Sequence, residues 1–199
     1  MLEKNFIKIT ELIVLGLIFP ILVVYYGLSN YILFFLWIIF IYCLIIFLCF
    51  YKSKESLNKF FTIYKHRTYI YLILFRWIFF SFFLYIFTVV FFPEHLFSIQ
   101  KKNISLLYKI FLFYPLFSAF PQEFIFCTYF FKRYKSLFIK EKNMIIMSSI
   151  LFCFAHIFVI NWVAPLIGLF GGFIFARTYS KTKSLLIVSL EHALYGNTL

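Results

Sequence analysis

Long apolar runs broken by short polar clusters dominate this chain. A helix needs about 20 mostly apolar residues to cross the ~30 Å hydrocarbon layer of a bilayer. Three uninterrupted runs come first, near 11–28, 31–51 and 69–92. A fourth covers 105–131 and is interrupted by Pro121. Three tighter segments follow, near 143–160, 162–179 and 184–198. The pattern predicts an all-α, polytopic transmembrane helix bundle of about seven hydrophobic segments. No soluble domain lies between them, and no internal repeat is visible. The first segment has no small-residue cleavage pattern after it, so it reads as a retained helix.

The polar clusters orient the bundle. Lys4 and Lys8 precede the first run, and loop 52–68 carries Lys52, Lys54, Lys59, Lys65 and Arg67. Loop 132–142 carries Lys132, Arg133, Lys135, Lys140 and Lys142, and Arg177, Lys181 and Lys183 surround the sixth junction. With seven alternating spans all of these share one side, and the other side has Lys101 and Lys102. Basic loops stay cytoplasmic, which predicts N-terminus in and C-terminus out. Segment 93–104, with Glu94 and His95, reads as a solvated interfacial loop.

Composition agrees with a membrane chain. Of 199 residues 64% are hydrophobic and 13% charged, with 33 Phe and 15 Tyr. The mean hydropathy is +0.97. That much apolar surface needs lipid as solvent. The net charge of +12 is accounted for by the basic loops facing anionic lipid, so no nucleic-acid partner is implied. Cys43, Cys49, Cys127 and Cys153 lie in apolar runs without C-x-x-C spacing, which excludes a disulfide framework and a zinc knuckle.

Ionisable groups inside a bilayer are costly, so each is a functional candidate. Arg76 and Lys109 lie near span ends and are expected to snorkel. Glu123, His156, Glu191 and His192 remain. At ~1.5 Å rise per residue, Glu123 lies roughly 13 Å, His192 about 12 Å and His156 about 20 Å from the cytoplasmic ends of their segments. Glu123, His156 and His192 are therefore expected to meet near mid-membrane. A desolvated carboxylate beside imidazoles can take a proton from water, and a second His can stabilise an oxyanion. Glu and His are also zinc ligands, so Glu123, His156 and His192 form a candidate zinc set. Pro121 is expected to kink its helix beside Glu123. Gly168, Gly171 and Gly172 read as close helix packing.

At these residues the chain resembles the CAAX-protease and bacteriocin-processing family of intramembrane proteases. The stretch Pro121-Gln122-Glu123-Phe124-Ile125-Phe126-Cys127-Thr128 looks like the family's E-E-x-x-x-R motif. Phe152 to His156 matches F-x-x-x-H, and Glu191-His192-Ala193-Leu194-Tyr195-Gly196-Asn197 resembles the final His motif, where Asn usually follows His by four. The resemblance covers about 105–199, leaving 1–104 as N-terminal transmembrane helices. It implies a membrane-embedded endopeptidase, glutamate-dependent or metal-dependent. Glu123 and His156 would activate water, and His192 with Asn197 would bind the oxyanion.

Three positions depart from that pattern. Gln122 stands at the first Glu, and Gln is no base. Cys127 stands at the Arg. Gly196 stands at the Asn, with Asn197 one residue later. Glu123 sits about 100° round the helix from Gln122, so its use as the base requires a rotated or distorted helix.

The resulting expectation is an intramembrane endopeptidase acting on a membrane-associated protein or peptide, in a bacterial cytoplasmic membrane. Two rivals accompany it: a non-catalytic member that binds a membrane partner or confers immunity, and a transporter or proton relay.

Overall fold

The computed structural model describes residues 2–51, 67–97, 101 and 103–198. Lys52, Lys54, Lys59, Lys65 and Lys102 lie outside them. All seven expected segments are helical: α1 (Asn5–Tyr25), α2 (Ser29–Phe50), α3 (Arg67–Phe91), α4 (Ile104–Arg133), α5 (Glu141–Phe154), α6 (Val163–Thr182) and α7 (Leu185–Gly196). The chain is an all-α polytopic bundle. Five helices, α1–α4 and α6, are long and apolar enough to cross a membrane. The other two are shorter than the sequence suggests. At ~1.5 Å per residue, the 14 residues of α5 and the 12 of α7 reach only about 21 and 18 Å. Segment 143–160 is not one helix, because α5 ends at Phe154 and residues 155–162 form turns. His156 therefore sits in a turn rather than on a helix face.

Prolines explain much of the irregularity. A proline ring clashes with the carbonyl four residues back and offers no N–H to it. Wider π turns lie directly upstream of two prolines, Val14–Ile18 before Pro20 and Pro115–Ala119 before Pro121. The Phe117 carbonyl, which Pro121 cannot serve, accepts a hydrogen bond from the Trp37 indole at 3.2 Å. A further π turn, Phe124–Tyr129, follows Glu123. Glu123 thus lies in a four-residue α segment (Phe120–Glu123) between two wide turns.

The core is built from α4–α7, with α2 and α3 against its flanks. Close packing of α5 on α6 depends on glycine. A Cβ at Gly172 would meet Phe152 Cβ at 2.8 Å and Ser149 Cα at 3.2 Å, and one at Gly168 would meet the His156 ring at 3.0 Å. Phe152 and His156 therefore lie directly over the glycines of the facing helix.

One end of the bundle collects charge. Glu11 accepts hydrogen bonds from Tyr129 (2.6 Å), Tyr134 (2.7 Å) and Arg133 (2.6 Å). Lys8 donates to Ser136 at 2.8 Å, and Lys183 pairs with Glu141. The basic residues that are described around 8, 133 and 183 so meet at the end that the charge pattern assigns to the cytoplasm. The Lys183 ammonium holds the Glu141 carboxyl below its ordinary range. That exposed pair contributes above the unfolded carboxyl's titration, and the contribution is lost as pH falls through the lower folded value. Glu11 is a half-buried, multiply partnered acid that its place at the start of the first apolar run conceals in the sequence.

Gly172→Leu is expected to destabilise the protein by ~1–3 kcal/mol through overpacking. The melting temperature of the purified protein in detergent measures this. Gly171→Ala, whose added Cβ meets only the Phe175 ring edge at 3.3 Å, should move it far less.

Candidate active site

The short helix α7 supplies the site through one buried stripe. Val188, Glu191, His192 and Tyr195 follow the i, i+3, i+4, i+7 spacing of a single helix face, and all four are buried. His192 points at α4 and Glu191 at α3.

Glu123 is fully buried. Its Oε1 lies 2.8 Å from His192 Nδ1, and its Oε2 accepts from the Cys127 thiol at 3.1 Å. A carboxylate only accepts, so Nδ1 carries the donated proton. The other ring nitrogen, Nε2, is 2.9 Å from the Tyr114 hydroxyl. His192 also stacks on Phe175, with ring centres 4.6 Å apart and planes at 18°. The imidazole is thus fixed by a carboxylate, a phenol and an aromatic face.

His156 is held differently. Its Nδ1–H donates to the Phe152 carbonyl at 2.7 Å, so in the neutral ring Nε2 keeps its lone pair. The hydrogen bond seen for this ring among the described residues is the one at Nδ1. The Phe152 ring stands between the two histidines, 4.7 Å from His156 and 5.4 Å from His192. Both histidines and Tyr114 line one cavity of about 440 Å³ between α4, α6 and α7. His156 also lines a second cavity of about 290 Å³ against α1 and α2, and there its companion is Gln122. Gln122 donates to Ser118 at 2.8 Å.

The four expected site residues do not form one cluster. Glu123 and His192 are bonded. His156 shares a cavity with His192 and makes no hydrogen bond to Glu123. It is Gln122, not Glu123, that shares a cavity with His156. Asn197 caps the end of α7, and its buried Oδ1 has no partner among the described residues. It does not line the cavity that holds the histidines.

The zinc set expected from sequence does not fit this arrangement. Both oxygens of Glu123 and both nitrogens of His192 are engaged, and His156 Nδ1 is committed to a carbonyl. Among the described residues no three His, Cys, Asp or Glu side chains gather as a metal site.

Arg76 does not snorkel. It reaches the fully buried Glu191 at 2.7 Å and donates to Thr178 at 3.1 Å. This ion pair ties α3 to α7 one residue from His192. Sequence reasoning noted both residues without pairing them, although an intramembrane Arg and Glu are natural partners. Tyr114 it missed altogether, since nothing local separates it from fourteen other tyrosines.

Comparison with known proteins adds an independent observation. Residues 104–197 match the family model described as type II CAAX prenyl endopeptidase, Rce1-like. Over that stretch, a little under half of its length, the chain is similar to the Rce1-like family. No curated protein and no solved structure matches the chain. That similarity and the apolar helices together support an integral membrane protein of the CAAX intramembrane endopeptidase class, for which the family implies a membrane-associated protein or peptide substrate. The matched half of this Rce1-like chain contains Tyr114, Glu123, His156 and His192 alike.

Breaking the Arg76–Glu191 pair should matter more than removing it. Glu191→Leu leaves a partly buried guanidinium without its carboxylate and is expected to cost about 2 kcal/mol, less than the ~3–5 kcal/mol of a fully buried pair because Arg76 keeps some exposure and its bond to Thr178. Arg76→Met with Glu191→Leu should recover most of that loss in the same thermal assay.

Proposed function

We propose that this Rce1-like chain hydrolyses a peptide bond of a membrane-associated protein or peptide, without direct attack by Glu123 on water. His156 is the base. Its Nδ1–H rests on the Phe152 carbonyl, which leaves the Nε2 lone pair for a water in the shared cavity. Water oxygen attacks the scissile carbonyl carbon as its proton passes to His156 Nε2. Collapse of the tetrahedral intermediate breaks the C–N bond, and the His156 imidazolium returns the proton to the leaving amine. Glu123 holds His192 in place on the oxyanion side, and so acts through His192 rather than on the water. Gln122 cannot supply a base, but its amide lies in the cavity His156 borders and is suited to binding a substrate carbonyl or amide.

The observation that carries this reading is the Glu123–His192 hydrogen bond inside the family-matched region, with His156 facing the same cavity. One observation favours the non-catalytic alternative: every polar atom of Glu123 and His192 is already satisfied, as in a purely structural pair. A cleavage assay separates the two. Purified protein in lipid, given a membrane-anchored peptide, should cut it. His156→Ala should lower turnover by at least ~100-fold, the usual scale for a lost acid–base group, and Glu123→Gln should lower it by loosening His192. Equal activity in all three proteins would overturn the assignment.

A further inference from the structure

An oxyanion in this cavity needs a donor held beside His192. Asn197 does not reach the cavity. Asn161 borders it from an exposed turn, its Oδ1 accepting from the Ala164 N–H at 2.9 Å at the start of α6, and no hydrogen bond joins its side chain to either histidine. Tyr114 is the group in place. It lines the cavity with both histidines, and its hydroxyl is 2.9 Å from His192 Nε2.

A second observation shows that the fold makes room for that phenol. A Cβ on Gly196 would lie 2.3 Å from the Tyr114 hydroxyl oxygen and 2.3 Å from its Cε1. Any side chain at 196 would therefore displace the hydroxyl. Gly196 is one helical turn beyond His192, so the phenol occupies the space that a residue at this point of α7 would otherwise fill. The Tyr114 ring stands edge-on to the imidazole, with centres 5.8 Å apart and planes at 77°. That orientation places its hydroxyl, not its face, against Nε2. Tyr114 is also the last residue before the π turn Pro115–Ala119, which packs against α7.

We propose that Tyr114 is a further catalytic residue, its phenol O–H donating to the scissile carbonyl oxygen as negative charge develops there. This rests on the endopeptidase reading above. The chain of bonds runs from Glu123 through His192 to Tyr114. With a proton on each ring nitrogen, His192 donates Nδ1–H to Glu123 and Nε2–H to the phenol oxygen, and the phenol's own proton is left for the cavity. Hydrogen bonds in series polarise one another, and a water-poor site strengthens them. No bond to oxygen forms or breaks at Tyr114; it donates a hydrogen bond to the oxyanion and releases it when the carbonyl re-forms.

Tyr114→Phe keeps the ring and removes the donor. In the cleavage assay kcat should fall about 100-fold, the scale of one lost oxyanion donor, with KM within about twofold since ground-state binding is untouched. Gly196→Ala, which pushes the phenol aside, should lose a similar share of kcat. A binding measurement keeps the idea separate from turnover. A membrane-anchored peptide with a phosphinate at the scissile position mimics the charged tetrahedral oxygen, and its reduced-amide counterpart lacks that oxygen. Tyr114→Phe should weaken phosphinate binding at least tenfold and leave the reduced amide within about twofold. Equal phosphinate affinity in wild type and Tyr114→Phe overturns the role of Tyr114, whatever the turnover. A Tyr114-dependent phosphinate preference in a protein that cuts no peptide upholds the oxyanion site and overturns the endopeptidase reading instead.

Discussion

A charged or hydrogen-bonding group has no water to turn to within a bilayer, and this constraint organises the C-terminal half. Each buried acid there has a partner on another helix. Glu123 on α4 bonds His192 on α7, and Glu191 on α7 pairs with Arg76 on α3. Glu191 and His192 are adjacent on α7, about 100° apart around its axis, so this short helix is tied to α3 through one and to α4 through the other. A 12-residue helix has little apolar length with which to hold itself in lipid. Its polar contacts and its buried stripe supply the registration that length does not.

The same constraint accounts for the irregular backbone. A helix in lipid cannot leave carbonyls unsatisfied. Pro121 removes one donor, and the bundle replaces it with the Trp37 indole and wide turns on either side of Glu123. π turns recur at functional positions because they re-aim side chains without ending the helix. Here the result is a division between neighbours. Glu123 faces α7, while Gln122 faces the cavity bordered by α1, α2 and His156. Cys127, one turn after Glu123, donates a thiol proton where a cation would stand in the family pattern. The acid is thereby held by one thiol and one imidazole, which is a different electrostatic setting from a carboxylate paired with arginine.

Glycine plays two distinct parts. Gly168 and Gly172 let α6 approach α5 closely enough to seat Phe152 and His156, and so they set the position of a site residue through packing. Gly196 leaves space for a side chain from another helix. The first use was readable from the cluster of small residues in an apolar run. The second was not, because an absent side chain says nothing about what fills the gap.

Seven apolar runs, the basic loops and the intramembrane acids and histidines were legible in the residues themselves. Hydrocarbon thickness sets a length scale, and the cost of burying charge makes exceptions conspicuous. The three motifs also pointed to the family that residues 104–197 match. Tertiary structure decided the rest. It shortened α5 and α7, placed His156 in a turn, and joined Glu123 to His192 rather than to His156. It paired Arg76 with Glu191 instead of leading it to the interface, and brought Tyr114 to the imidazole across 78 residues. The physical reason is that periodicity reports which face of a helix avoids water or lipid, but not which neighbour that face meets. Partner choice depends on helix rotation, and here two π turns and three glycines set that rotation through contacts distant in the chain.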